Sequence, residues 1–436
     1  MKKEDFNVLL KTMNISYEEL VEIALETGFI KRLRQINPLN FLSAVCIESA
    51  IGIASYNDVA AHIDADSGLS VSRQAIGKKV KAPCEEFLKK ILAIVIASKI
   101  TNAALEILKA RNTYKRILVE DSTIIRLPLG LFSAFSGVAN GPSKVCNARI
   151  QCVFDLLSGQ FVSFSIDPYS KNDLKAAPEL ILEEGDLVLR DRGYLIMDEI
   201  QRHIDNNAHC IYRYKSNMVL NDPKTEKPID VFSLLKKEGN MDMKFMLNNK
   251  TKTIVRILAH PVSKEVADNR RMKAKKENKN PPSKEYLALL SWSIYITTIT
   301  DECIDYAFIY KTYGLRWRIE IIFKCWKSNM GFDKIHNVSK IQLNVLLLAR
   351  FIMIVCTQLI FGRCLPIIKK HFKRDLSLLK LTKYLLRHTI KILSILKEIN
   401  DPDNRSEGAI KAIAKYCTYE KRHRQNYQQK MDALFC

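Results

Sequence analysis

Through residues 1–111 apolar positions return every three or four residues, the spacing of helices that each bury one face. Ser16 and Glu19 have capping-box spacing ahead of LVEIALETG. The stretch SYNDVAAHIDADSGLSVSRQAIGKKV, residues 55–80, predicts a short helix, a turn through Asp66, Ser67 and Gly68, and a second helix capped by Ser70 or Ser72. That is the outline of a helix-turn-helix, and equally of an ordinary packed helix pair.

The texture changes at Lys115. KRILVEDSTIIRL (115–127) is rich in β-branched residues and reads as a strand, with Asp121 placed where it ends. ARIQCVFDLLSGQFVSFSIDP (148–168) reads as two strands of a hairpin turning at Ser158 and Gly159. DLKAAPELILEEG (173–185) predicts a helix closed by Gly185, and DLVLRDRGY (186–194) a short buried strand that ends at Asp191. A helix over 195–207 and a strand over 209–215 follow, giving the order β-β-β-α-β-α-β, a mixed sheet with helices. Residues 216–300 break that order. They read as an inserted, mostly β segment, with strands at 251–260 and 284–298 flanking an exposed basic loop, NRRMKAKKENKN (269–280). One helix is expected over 313–330, then helices to the end. IQLNVLLLARFIMIVCTQLIF (341–361) is long enough to span a bilayer, but Gln342, Asn344, Arg350 and Gln358 interrupt it, which favours a buried helix.

At 436 residues, 47% hydrophobic and 26% charged, the chain has the balance of a folded protein of two or three domains. The expected division is a helical region at 1–111, an α/β region at 112–340 with a β-rich insertion at about 216–300, and a helical basic region at 341–436. Net charge of +21 implies a polyanionic partner, nucleic acid before an anionic membrane. From residue 361 onward 17 Lys and Arg stand against 7 Asp and Glu, so about half the excess lies in the last 76 residues. With DNA as partner, Arg73, Gln74, Lys78 and Lys79 become candidate contacts on the second helix of the N-terminal pair. Eleven cysteines occur with no CxxC pair and no zinc-ligand spacing, the usage of reduced thiols in a cytoplasmic protein. The start MKKEDFNVLLKTMNIS has no long apolar core and does not read as a signal peptide.

The run YGLRWRIEIIFKCWKSNM (313–330) gathers Arg316, Arg318, Lys324 and Lys327 around one acid, Glu320. At about 100° per residue, Tyr313, Arg316, Glu320, Lys324 and Lys327 share roughly 80° of arc. A salt-bridged helix stripe has the same spacing. Asp121 and Asp191 at strand ends alter the balance, because three carboxylates on separate elements suit oxygen-only ligation of Mg²⁺ or Mn²⁺. Two such ions roughly 4 Å apart serve phosphodiester displacement.

The order Asp121, Asp191, Glu320 on this element pattern resembles the DDE transposases, with an RNase H-like core. The third-acid helix is similar to the Y-x₂-R-x₃-E-x₆-K signature of the IS-four family of bacterial insertion sequences, at Tyr313, Arg316, Glu320 and Lys327. At ~5% per residue type, such a match arises by chance in roughly 0.3% of chains this long. The separation of 129 positions from Asp191 to Glu320 leaves room for that family's inserted β domain. The resemblance implies that Asp121, Asp191 and Glu320 hold two catalytic metal ions. It also implies that Tyr313, Arg316 and Lys327 meet phosphates near the transferred end, with Lys324 assisting. Trp292, late in the insertion, corresponds to a tryptophan that stacks on a flipped base in hairpin-forming members; a strand tryptophan is otherwise a core residue. The implied activity is cutting at terminal inverted repeats of double-stranded DNA and joining of 3′ ends to target DNA, by a homodimer at the bacterial nucleoid. A catalytically silent DNA-binding protein and an RNase H-like nuclease without strand transfer are the alternatives.

Overall fold

The computed structural model describes residues 3–98, 114–138, 143–171, 180–277, 280–400, 408–420 and 425–435. Among the described residues, six helices come first: α1 (Lys3–Lys11), α2 (Tyr17–Glu26), α3 (Pro38–Ile51), α4 (Tyr56–Ser67), α5 (Arg73–Lys79) and α6 (Ala82–Ala97). The α/β stretch follows with β1 (Arg116–Arg126), β2 (Asn147–Asp155), β3 (Gln160–Pro168), β4 (Asp186–Arg190), α7 (Met197–Asp205) and β5 (His209–Arg213). The insertion carries β6 (Leu220–Asn221), α8 (Val231–Glu238), β7 (Met241–Leu247), β8 (Ile254–Pro261), α9 (Lys264–Glu277), α10 (Lys284–Leu289) and β9 (Trp292–Thr297). Then come α11 (Tyr306–Gly314), α12 (Trp317–Asn329), α13 (Lys340–Phe372), α14 (Leu378–Arg387), α15 (Ile392–Asn400), α16 (Ala409–Tyr416) and α17 (Tyr427–Phe435). The described residues form a mixed α/β fold with helical ends.

The chain forms two compact units that cut across its linear order. The first comprises Met1–Ile107, Ser122–Pro178 and Ile319–Gln428; the second comprises Leu108–Asp121, Glu179–Arg318 and Gln429–Cys436. In the first, strands run β3-β2-β1, with β1 contributing its second half, and β2 and β3 form the expected antiparallel hairpin. Gly159 takes the left-handed conformation its turn requires, at φ +67°. Helix α13 packs on α6 and α3. It is the one described helix long and apolar enough to cross a membrane, and 94% of its most apolar stretch is buried within the protein, as the polar interruptions predict.

One of those interruptions organises the first unit. Arg350 is fully buried and spends its guanidinium on four backbone carbonyls. Nε donates to Ser49 at 2.9 Å and Nη2 to Gly52 at 3.1 Å, both at the C-terminal end of α3, where carbonyls lack helical partners and the dipole favours a cation. Nη1 donates to Phe332 at 3.1 Å and Nη2 to Lys334 at 3.0 Å, in the segment that follows α12. Burial lowers the Arg350 pKa to about 10, still far above neutrality.

In the second unit the order is β1-β4-β5-β9-β8-β7-β6, beginning with the first half of β1. β1, β4 and β5 are parallel; β9, β8, β7 and β6 continue antiparallel. Residues Leu187, Val188 and Leu189 are fully buried, the unbroken apolar run of a central parallel strand.

Five expectations need correction. β1 does not end at Asp121 but runs on to Arg126. The 313–330 run is two helices, because the backbone tightens into three-residue bonds at Leu315→Thr312 and Arg316→Tyr313 before α12 begins. The basic loop at 269–280 is helical as far as Glu277, and residues 278 and 279 lie outside the described residues. The first half of the 284–298 strand is α10, capped by Ser283 on the Tyr286 amide at 3.1 Å, and only Trp292–Thr297 is extended. The helix expected over 173–185 lies outside the described residues as far as 179; 180–185 is not helical.

Replacing Arg350 by Leu takes its donors from four carbonyls, two of them in buried contacts and two in part-buried ones, at about 1–3 kcal/mol for each one that finds no water. Denaturant unfolding of Arg350→Leu is expected to show a loss of at least ~3 kcal/mol, with Arg350→Lys, which has three donors, losing less. An unfolding midpoint equal to wild type would refute the clamp.

Candidate active site

In the second unit, the parallel register of β1 on β4 sets Glu120 opposite Arg190, so the next residues in each strand are Asp121 and Asp191. Asp191 stays extended, at φ −70° and ψ 158°, so side-chain alternation carries one residue past the strand end. The two aspartates therefore share one sheet face, and Glu120 and Arg190 share the other. Arg316 reaches Asp121, its Nη1 donating to Oδ2 at 2.8 Å with both side chains largely buried.

Asp191 lines a groove of about 370 Å³ together with Arg192, Arg213, Arg270, Lys273 and Trp292. Trp292 is half-buried; its Nε1 donates to the Gly239 carbonyl at 2.7 Å, which fixes the indole. Arg270 braces the same strand, with Nη1 on the Trp292 carbonyl at 3.0 Å and Nη2 on Ser293 Oγ at 2.9 Å. Burial, and then the neighbouring Arg213 guanidinium, push the Arg270 pKa down. Like charges held together in a groove make a site for an anion. Neither Arg213 nor Arg270 stood out in the sequence. Arg213 lies at the end of a short strand, and Arg270 is hidden in a run of exposed cations.

Tyr313, at the end of α11, is only 7% exposed, and its hydroxyl donates to the Arg190 carbonyl at 3.3 Å. Burial raises its pKa well above the usual phenol value.

In the first unit, α12 behaves as the helical stripe predicts from Ile319 onward. Ile319, Ile322, Phe323, Cys325 and Trp326 are buried, while Glu320 and Lys327 are half-exposed and Lys324 exposed. Trp326 anchors the helix among Phe323, Phe332 and Phe161, with ring centroids 5.2, 5.3 and 5.7 Å away. Lys327 Nζ donates to the Ile124 carbonyl at 2.9 Å and ties α12 to the second half of β1. Among the described residues, no three His, Cys, Asp or Glu side chains stand together as a ready-made metal cage. Two carboxylates, each one residue past the paired Glu120 and Arg190, fit a hard cation that takes one or two protein carboxylates and completes its shell with water and phosphate oxygens.

The N-terminal helix pair forms as expected. α4 starts with a full capping box between Ser55 and Asp58 and ends at Gly68, whose φ of +64° is the left-handed turn. Ser72, not Ser70, caps α5 by accepting from the Ala75 amide. Ile76 faces the interior, and Arg73, Gln74 and Lys78 are exposed. Lys79 is partly covered, its Nζ 4.9 Å from the centre of the Phe29 ring.

Residues 113–356 match the Transposase DDE domain family. The chain is 26% identical over 386 residues to the transposase for insertion sequence element IS231B of Bacillus thuringiensis subsp. berliner, covering 82% of this chain and 80% of that protein. It is 27% identical over 385 residues to the IS231D transposase of Bacillus thuringiensis subsp. finitimus, with the same coverage. To the IS1151 transposase of Clostridium perfringens it is 25% identical over 412 residues, covering 88% of this chain and 87% of that one. Among solved structures, the piggyBac transposase synaptic complex with hairpin DNA aligns over 96% of this chain and 87% of that one, at a TM-score of 0.47 and 10% identity. The matched region, 113–356, takes in Asp121, Asp191 and the helix of Glu320, and the chain belongs to the DDE-domain transposases of bacterial insertion sequences.

Proposed function

We propose that the protein cuts the terminal inverted repeats of its own element and joins the freed 3′ ends to target DNA, by cut-and-paste. The observation that carries this reading is that Asp121 and Asp191 each directly follow a register-paired residue, Glu120 and Arg190, with Asp191 lining a cationic groove. The family uses a divalent metal; here Asp121 and Asp191 would hold it, with Glu320 of α12 as third carboxylate. Bound there, two Mg²⁺ or Mn²⁺ ions supply Lewis-acid stabilisation of the displaced oxygen and an activated water or 3′-hydroxyl. The protein's own part is placement. Arg316 steadies Asp121, Arg192, Arg213 and Arg270 draw the phosphate chain into the groove, and Lys324 adds positive charge on the exposed side of α12.

Helix α5 would read the element ends in the major groove through Arg73, Gln74 and Lys78. The basic C-terminal helices would hold further DNA and a second protomer, since synapsis joins two ends. Trp292, its ring fixed at the groove, would stack on a base swung out of the strand if release passes through a hairpin.

On end-labelled element DNA with Mg²⁺, Asp121→Asn, Asp191→Asn or Glu320→Gln is expected to lower cutting by at least ~10³ while leaving end binding intact. Near-normal cutting by any one removes that residue from the site. Binding without cutting by the wild type would favour a silent DNA-binding protein, and cutting without joining a simple nuclease. Arg73→Gln with Lys78→Gln should weaken end binding and flatten its logarithmic salt dependence by about 1 for each lost phosphate contact. An unchanged slope places the contacts elsewhere. Trp292→Ala should leave the first nick near normal and slow hairpin formation roughly 10–100-fold, with Trp292→Phe between, because base stacking is worth about 1–3 kcal/mol. Equal loss at every step marks Trp292 as structural.

A further inference from the structure

Glu120 and Arg190 face each other across the parallel pairing of β1 with β4, each one residue before a candidate metal-binding aspartate. They are 0% and 4% exposed and form an ion pair. Arg190 Nη1 also donates to Glu199 Oε1 of α7 at 2.9 Å, and Arg202 Nη2 donates to that same oxygen at 2.7 Å. The peptide carbonyl of Arg190, the last one before Asp191, accepts from Tyr313. The Tyr313 ring is itself packed on Tyr295, with centroids 5.2 Å apart.

A buried ion pair is a poor way to gain stability, because desolvation offsets its attraction and an apolar pair of the same size does as well. What opposite charges at directly paired positions do supply is register. A slip of one strand by one residue would bring the slipped strand's other face opposite its partner and so part the two charges. Here the same slip would also part Asp121 from Asp191. The hydroxyl of Tyr313 adds a second restraint, on the direction in which the backbone leaves β4. A tyrosine that is buried and spends its hydroxyl on a backbone carbonyl is badly placed to serve a phosphate.

We infer that Arg190, with Glu120 and Tyr313, positions the metal-binding carboxylates: the ion pair behind the sheet fixes β1 on β4, and the tyrosine hydroxyl fixes the exit of β4 that carries Asp191. Tyr313 acts through Asp191 and not by touching DNA. The inference rests on the reading of Asp121 and Asp191 as metal ligands.

The test uses the full chain, with end-DNA binding measured without metal and cutting measured against Mg²⁺ and Mn²⁺ concentration. Tyr313→Phe keeps the ring and removes the hydroxyl. The double variant Glu120→Leu with Arg190→Met removes both charges, leaves Glu199 its Arg202 partner, and guards against simple misfolding. Both are expected to bind end DNA with wild-type affinity and salt dependence. Both should cut roughly 10–100-fold more slowly in Mg²⁺, the scale expected for a misplaced ligand, and need more Mg²⁺ for half-maximal rate. Mn²⁺ should restore more of the loss, because Mg²⁺ demands near-ideal octahedral geometry. Weakened binding and a flatter salt slope in Tyr313→Phe, with an unaltered metal response, would make the tyrosine a phosphate contact and overturn the inference. So would a double variant that melts and responds to metal like wild type. Normal cutting by Asp121→Asn in the same assay would instead sink the underlying metal-site reading.

Discussion

The parallel pairing of β1 with β4 is the constraint on which the candidate site depends. Each strand takes part with only a few residues, Arg116–Glu120 on Asp186–Arg190. Alternation then sends the chemistry to one face and the restraint to the other. On the restrained face, burial pushes the Glu120 carboxyl above its usual range and Arg190 pulls it back. On the chemical face, Asp121 and Asp191 each follow one of those paired residues. Like charges kept adjacent call for a counter-charge, which Arg316 supplies to Asp121 on the protein side. A divalent cation is the further counter-charge that such a pair is built to accept.

The electrostatics of the remainder follow from a polyanionic substrate. An excess of +21 would strain a chain that had to fold for its own sake, through self-repulsion. The cost is limited by where the cations sit. Arg350 is buried with its guanidinium on backbone carbonyls and Arg190 is buried in ion pairs with Glu120 and Glu199, while Lys324, Lys78 and Arg73 stay exposed. Arg213 and Arg270 are the exception, two guanidiniums set near each other at the groove of Asp191. Counterion release on binding phosphates turns that crowding into affinity, and makes it depend on salt.

Much of this was legible from local sequence because the signals are local. The hairpin turn at Gly159, the Gly68 turn with a serine cap, and the buried stripe of α12 each rest on residues within a few positions of one another. The break before α12 was not, since no proline marks it and the bonds simply tighten from four residues to three. Helix α9 was read as a loop because only Ala267 on it is buried; Arg270 and Arg271 hold it by reaching to carbonyls and hydroxyls of 287–293. The Glu120–Arg190 pair joins residues 70 positions apart, and the task it gives Tyr313 adds a third segment more than 120 positions on. No local pattern records such a pairing. Only the register does.

The central claim is that Asp121 and Asp191 ligate the metal that cuts DNA, and a change of metal preference tests it most directly. Each aspartate is replaced by Cys, and cutting of end-labelled element DNA is measured in Mg²⁺ and in Mn²⁺. A thiolate is a poor ligand for Mg²⁺ and a better one for Mn²⁺. The account predicts that both variants are inactive in Mg²⁺ and regain cutting in Mn²⁺ by more than the wild type gains. Variants equally active in the two metals, or equally inactive in both while still folded and bound to DNA, would contradict it.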